Sequence, residues 1–483
     1  ELLKVSKTNV MKALEVYDPS FRVKTNNQWG SDPNALPEMQ IRQCGDMQEP
    51  MELLELPGIS LDYFLRGLAG EAYQDNAVFQ ELYSWYLQSP EYRILVKKLT
   101  EASFSERPSD KIGKTVAKIL YGEISPYSAT RLERFAACAF AHFLQYGLKI
   151  TERAEYEFRA MDMGNVMHMA LEKFAAEVRK EGLDWAELTE EERNRIIDSC
   201  LDQVSADYGN TILKSSARNE YMIERTRRIL RRTVWALQEQ LKHGAFRPEG
   251  FEVRFQGGRI DRVDIMEEPE NNRVYVKGID YKTGNTSFDL LALYHGLQLQ
   301  LMVYLDGALQ VEKRKDPDRE IVPAGVFYYN VKDPMIQEKI HADMESINEQ
   351  MLKKMKMNGL VQADDNMSTK IDSTMASIPV SLNRDGSFSK RSSVASRKQF
   401  DALGAYVRRK ICDIRESILD GNAAVEPYEL GKKNACTYCP YLTVCGFDRK
   451  IPGYEFHRLS SIEEDALWKK IMKGEEENGS EMD

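Results

Sequence analysis

The sequence predicts an α/β protein, a sheet core set inside a larger α-rich body. Three observations predict it. Apolar residues recur at helix-face spacing through much of the chain. Between Phe251 and Lys282 the pattern changes, and Val, Ile, Phe and Tyr gather in two runs separated by the turn signal Pro269 to Asn272. A helix, a third β-rich run and a further helix then follow, and such alternation marks an α/β core.

The elements read in order as follows. Residues 1–60 hold no persistent period, and Asn26 to Asn34 is turn-rich. Leu61 to Leu99 is helical, with Phe79, Leu82, Trp85 and Tyr86 at face spacing, until Pro108 and Ser109 break it. Gly113-Lys114-Thr115 ends like a phosphate-binding loop, but that loop needs a glycine where Pro108 stands. It reads as coincidence, no other nucleotide loop is visible, and the chain is not expected to hydrolyse ATP alone. Thr130 and Glu133 have capping-box spacing, and Leu132, Phe135, Ala136, Ala139, Phe140 and Phe143 continue as one apolar stripe. Further helices are expected over Gly164 to Val178 and, strongly basic, over Asn219 to Leu241. Strands follow over Phe251 to Ile265 and Arg273 to Lys282, then a helix over Leu290 to Ala308 and a strand over Ile321 to Val331. Asp333 to Met357 reads as largely helical, Asp364 to Ser396 as loop with short strands, and Gln399 to Leu419 as a long helix. The last ten residues hold five acids and are expected to be a disordered tail.

Composition bounds the function. The chain has 483 residues, 42% apolar and 29% charged, which excludes disordered and collagen-like classes. No run approaches the roughly 18 apolar residues that span a bilayer; Ala136 to Leu144 is short and contains His142. No membrane partner is expected. The net charge is −10, from 66 basic and 76 acidic residues, so any nucleic-acid surface must be local. The seven cysteines are odd in number, and three crowd between Cys436 and Cys445. That usage suits a cytoplasmic protein with a metal or cluster site.

Two acids occupy strand positions where loops would be the default. Asp261 lies in Gly258-Arg259-Ile260-Asp261, and Asp280 in Ile279-Asp280-Tyr281-Lys282. Alternate strand residues share a face, so Asp280 and Lys282 point one way. If the two strands pair, Asp261 joins them. Two carboxylates with open coordination positions suit Mg²⁺, and a nearby lysine can orient a nucleophile or neutralise developing charge. The plainer reading is a surface strand with an ion pair. Gly164-x-x-x-His168 offers an imidazole on a helix, otherwise a core or surface histidine. Gln300-x-x-x-Tyr304 puts two polar groups on one helical face, otherwise a half-buried tyrosine beside an amide. Gln298 is its near rival.

Cys436-x-x-Cys439-x-x-x-x-x-Cys445 is a tight trio whose fourth ligand must come from afar. Only His457 follows, so a zinc ribbon is incomplete. Cys138, at the edge of its helix's stripe, is the natural fourth member, and Cys412 the runner-up. Cys44 and Cys200 read as ordinary buried residues.

Aspartate followed by Asp-x-Lys on a neighbouring strand resembles the PD-(D/E)xK nuclease superfamily, and the helix histidine with Gln-x-x-x-Tyr resembles its RecB-type branch. One upstream cysteine with a downstream C-x2-C-x5-C resembles the iron–sulfur staple of AddB/RexB-type helicase–nuclease subunits. SATRLERFAACAFAHFLQYGLKI and CTYCPYLTVCGFD extend the likeness, which covers about Phe79 to Pro452. It implies a restriction-endonuclease-like mixed sheet flanked by helices, with an α-rich N-terminal segment. It implies domains over 1–115 (a helicase-like remnant, with 1–60 unassigned), 116–452 (the nuclease) and 453–483 (a tail). Implied metal ligands are His168, Asp261, Asp280 and the Tyr281 carbonyl. Lys282 is the implied catalytic lysine, with Gln300 and Tyr304 supporting it or contacting DNA. A [4Fe–4S] cluster on Cys138, Cys436, Cys439 and Cys445 is implied. Ala139 departs from the family's usual proline. The helicase-like half is missing, so the chain is expected to be a fragment.

The implied activity is Mg²⁺-dependent cutting of one unwound DNA strand during double-strand-break processing for recombinational repair. The implied partner is the helicase-bearing member of an AddAB/RexAB-type heterodimer. The rival is a cluster-stabilised scaffold that holds single-stranded DNA without cutting it. Arg218, Arg225, Arg227, Arg228, Arg231 and Arg232, set against Glu220 and Glu224, give a local +4. Guanidinium groups suit phosphate contacts, and Arg225, Arg228 and Arg232 are the candidate DNA contacts. A solvated helix face is the alternative.

Overall fold

The computed structural model describes residues 77–103, 111–122, 128–151, 160–208, 216–336, 343–364, 366–449 and 453–479, with Ser60, Leu61 and Phe64. Most of the unassigned segment 1–60, including Cys44, lies outside the described residues.

The chain packs into two units. The smaller takes residues 1–110, 424–427 and 439–457; the larger takes 111–423, 428–438 and 458–483. In the smaller unit, helices α1 (Ala77–Gln88) and α2 (Arg93–Ser103) bury Tyr86, Val96 and Leu99 with Leu61 and Phe64. Trp85, expected on the same face as Tyr86, is exposed instead.

The larger unit begins with α3 (Lys114–Tyr121). Lys114 of the Gly-Lys-Thr run pairs with Asp420 at 2.9 Å. Helix α4 (Ala129–Ala137) stops at Cys138, whose backbone is extended, and the chain resumes as α5 (Ala139–His142) and a π-turn over Phe143–Gly147. The single capped helix expected from Thr130 is therefore corrected twice. Ser128 is the cap, its Oγ accepting from Arg131 N at 3.4 Å, and Glu133 turns elsewhere. Next come α6 (Ala160–Lys180), α7 (Glu190–Asp207) and α8 (Ala217–Lys242). Helix α7, for which no period was expected, is capped reciprocally by Thr189 and Glu192.

The sheet strands are β1 (Arg247–Phe255), β2 (Gly258–Glu268) and β3 (Arg273–Lys282). Helices α9 (Leu290–Tyr294) and α10 (Gln300–Lys315) lead to β4 (Glu320–Asn330). One helix was expected here, but Gly296, at φ 81°, ends the first. Helix α11 (Met344–Lys354) is shorter than expected and gives way to β5 (Asn358–Gln362), a strand the helical reading of Asp333 to Met357 missed. Helix α12 (Met367–Ile371), β6 (Val394–Ala395) and α13 (Arg397–Leu419) complete the core. Beyond it lie a hairpin of β7 (Tyr428–Leu430) and β8 (Lys433–Asn434), then α14 (Leu442–Cys445) in the smaller unit and α15 (Glu464–Gly479). The segment expected as a tail thus carries a helix, with Leu467, Trp468 and Ile471 buried in the same core as α13. Residues 480–483 lie outside the described residues.

The six strands run in sequence order. β3 and β4 are parallel, β1–β2, β2–β3 and β4–β5 antiparallel. The parallel pair needs a crossover, which α9 and α10 supply. Strand alternation divides the core. Tyr275, Ile279 and Tyr281 of β3 pack with α6, α7 and α8, while Val274 and Val276 pack with Ala308 of α10. Beneath the first face, Asp264 takes two hydrogen bonds from Arg262, at 2.6 and 3.0 Å, and an ion pair from Lys277 at 2.9 Å, all three buried. Among the described residues no helix is long and apolar enough to cross a membrane.

Candidate metal centre

The site forms at the C-terminal end of β3. Arg262 pairs with Ile279 across β2 and β3, so the same register carries Asp261 opposite Asp280. Both carboxylates are nearly sealed from water, at 8% and 3% exposure. Asp280 and Lys282 share the α10 face, as period-two alternation requires. Tyr281 turns to the other face, where its ring meets His168 at 6.1 Å and Tyr329 at 6.1 Å.

Helix α6 brings His168 over the strand ends. A Cβ at Gly164 would stand 3.3 Å from Thr283 Oγ1, so the glycine permits that approach. His168 Nδ1 lies 3.4 Å from Asp261 Oδ2, and the same oxygen accepts from Tyr281 N at 2.6 Å. Glu252 completes the group: donor atoms of His168, Glu252 and Asp261 lie within 4.8 Å of one another. Sequence reasoning missed Glu252. Its signal was faint, one acid in a β-rich run. It sits between Phe251 and Val253, which pair with Arg262 and Ile260, and its backbone is left-handed at φ 50°, a conformation costly for a residue with a side chain. Arg259 forms an ion pair with it.

The other side of the site is a hydrogen-bonded chain. Lys282 Nζ is 2.7 Å from Asp280 Oδ2 and donates to Gln300 Oε1 at 2.8 Å. Gln300 Nε2 donates to Asp280 Oδ1 at 3.2 Å and to Tyr304 Oη at 2.9 Å. Gln298, the near rival, instead accepts from Asp289 N and donates to Ser287 O, each at 2.8 Å, pinning the loop before α9. Glu133 accepts from Leu299 N and Gln300 N at the start of α10. It too was missed as a site residue, because capping spacing explained it locally.

The electrostatics are those of crowded, dehydrated acids. Burial, then the Asp261 charge, pushes the Asp280 carboxyl up to about 6, with Lys282 opposing. The same two causes push Glu252 up to about 7. Burial would lower the His168 imidazole, but the hydrogen bond and charge of Asp261 outweigh it and raise it. A set of oxygen donors with one imidazole, drawn within ligand distance of one another, fits a hard divalent cation.

On α8, Arg228 and Arg232 both face Asp333, at 2.7 and 3.9 Å. Arg227 is held by Asp198 and Asp202, and Arg231 by Asp198. Arg225 is exposed and has no ion pair among the described residues. Cys138 and Cys436 belong to the larger unit, Cys439 and Cys445 to the smaller, and all four are half-buried. Cys445 Sγ accepts from Phe447 N at 3.4 Å and donates to Leu442 O at 3.8 Å. Cys412 is exposed on α13 and Cys200 is buried.

Comparison with known proteins supplies the remaining observations. The family model of the PD-(D/E)XK nuclease superfamily matches residues 126–446. The chain is 37% identical over 469 residues to a protein of Lachnoclostridium phytofermentans named as the B-type subunit of an ATP-dependent helicase/deoxyribonuclease, covering 92% of this chain and 40% of that protein. Proteins of the same name from Alkaliphilus metalliredigens and Thermoanaerobacter sp. are 34% and 33% identical, covering 89% and 84% of this chain and 39% and 37% of theirs. The chain spans about two fifths of the length of these curated relatives.

Proposed function

This chain belongs to the PD-(D/E)XK nuclease superfamily, and we propose that it is the nuclease part of an AddB/RexB-type helicase–nuclease subunit, cutting single-stranded DNA with a divalent metal, preferably Mg²⁺. The observation that carries the reading is the meeting of Asp261, Asp280, Lys282 and Gln300 at one strand end. Asp261, Asp280 and His168, with the Tyr281 carbonyl and Glu252, would hold the metal. When bound, such an ion lowers the pKa of a coordinated water and offsets charge on a phosphate. Lys282, fixed between Asp280 and Gln300, presents a point charge to the phosphate and can orient the attacking water. Tyr304 holds Gln300 from its far side and so limits the amide's rotation.

The names of the relatives support a helicase-bearing partner of the AddA/RexA type, which would deliver one unwound strand of a broken duplex for recombinational repair. Arg225 would meet that strand's phosphates, and Arg228 and Arg232 would exchange Asp333 for them. Cys138, Cys436, Cys439 and Cys445 would hold a [4Fe–4S] cluster with a structural task. Four thiolates suffice for it, and all four cysteines are free and half-buried. A protein with this substrate and this partner would work in the cytoplasm.

The test is cleavage of single-stranded DNA by the purified complex with Mg²⁺ and with excess chelator. Chelator-sensitive product supports the reading. Tight DNA binding without any product would establish the non-cutting scaffold instead.

A further inference from the structure

Helix α10 begins without a side-chain cap of its own, because Leu299 occupies the capping position. The first amides of a helix have no acceptor within it and need one from outside. Glu133 supplies it from 166 and 167 residues away: a single oxygen, Oε1, accepts from Leu299 N at 2.7 Å and from Gln300 N at 2.9 Å. A carboxylate there also meets the positive end of the helix dipole. The residue it grips through the backbone is the one whose side chain accepts from Lys282 and donates to Asp280. We propose that Glu133 is a positioning residue for cleavage, fixing the first turn of α10 so that Gln300 holds Lys282 against Asp280.

The inference rests on the nuclease reading above. Its physical basis is that Gln300 has little freedom of its own. Its amide nitrogen and oxygen are both engaged, so its side chain follows its backbone. If the first turn of α10 frays, the Gln300 side chain moves with it and its 2.8 Å bond to Lys282 goes too. Burial pushes the Glu133 carboxyl up to about 7 despite those two amides.

The full chain is compared with Glu133→Ala, Glu133→Gln, Gln300→Ala and the double variant Glu133→Ala/Gln300→Ala. Amide hydrogen exchange at Leu299 and Gln300 should rise about tenfold in Glu133→Ala, the loss of one cap. It should change little in Glu133→Gln, which keeps an acceptor oxygen. In single-stranded DNA cleavage, Glu133→Ala should lower kcat with KM unchanged, Glu133→Gln should recover most of it, and the double variant should match Gln300→Ala alone. Losses that multiply in the double variant, or unchanged exchange in Glu133→Ala, would overturn the proposal. A wild-type protein without cleavage would overturn the nuclease reading, while the exchange data would still decide whether Glu133 holds α10.

Discussion

The Lys282 ammonium lies 2.7 Å from the Asp280 carboxylate on the same face of β3, and Gln300 bonds to both. The pair has different chemistry on its two sides. A carboxylate can ligate a cation, whereas an ammonium only donates. Asp280→Ala should therefore abolish cleavage and weaken Mg²⁺ binding, with affinity for DNA and any cluster nearly intact. Cleavage assays and calorimetry on the metal would read this. Wild-type rates in Asp280→Ala would remove Asp280 from the mechanism.

Lys282→Ala should lose cleavage and keep Mg²⁺ binding. The carboxylates remain, and a cation can neutralise Asp280 in place of the lysine. Mg²⁺ affinity falling as far as in Asp280→Ala would make the pair a structural ion pair.

Asp264 should matter for stability alone. Among the described residues it is the acid that pairs with both buried Arg262 and buried Lys277, so Asp264→Ala leaves two like charges without that partner. Breaking a buried pair typically costs about 3–5 kcal/mol. Urea melts should show a loss of that order. A loss within about 0.5 kcal/mol, the range of surface substitutions, would mean that the two cations find other partners.

The part of the site carried by local pattern was legible. Asp-x-Lys on a strand, Gln-x-x-x-Tyr on a helix and glycine four residues before histidine all report period, and period places side chains. What pattern could not report was distance along the chain. Glu133 fitted a local capping box and caps α10 instead. Glu252 became visible only once β1 lay beside Asp261. The fold failed in similar places. Short β5 carries too few residues for a period, and the extended backbone at Cys138 interrupts a stripe that reads as continuous helix. On α8 the sequence counted arginines, but only the fold shows which acids face them.

That difference separates the arginines by role. Arg225→Ala, at an exposed arginine without an ion pair among the described residues, should weaken single-stranded DNA binding and reduce the salt slope by about 0.7, the value for one phosphate contact on a single strand. Arg227→Ala removes a group already held by Asp198 and Asp202 and should leave the slope unchanged. Equal slopes for Arg225→Ala and wild type would take Arg225 off the DNA path.

Glu133 gives the stability a direction in pH. Its folded-state carboxyl is raised from 4.5 to about 7. Between those values the unfolded chain has released a proton that the folded chain keeps, so this group's contribution is complete below about 4.5 and is lost as pH rises through 7. Glu133→Gln has no proton to lose. Relative to wild type it should gain stability between pH 5 and 8, by at most about 3 kcal/mol. Metal-free urea melts at both pH values would read the difference; parallel curves would mean that Glu133 titrates normally.

The cysteines offer a test visible by eye. Thiolate-to-iron charge transfer makes iron–sulfur proteins brown, whereas Zn²⁺, with a filled d shell, is colourless. Anaerobically purified protein should be brown, with about four irons per chain for a [4Fe–4S] cluster. Cys138 and Cys439 lie far apart in sequence, and under the cluster proposal each would be indispensable. Cys138→Ser should therefore bleach the protein as fully as Cys439→Ser. It should also raise protease sensitivity across the larger unit, because ligand-binding free energy becomes folding free energy. Cys200→Ser should do neither, since that thiol is buried in the α6–α8 core. A brown, protease-resistant Cys138→Ser protein would exclude Cys138 and turn attention to Cys412, which is exposed on α13.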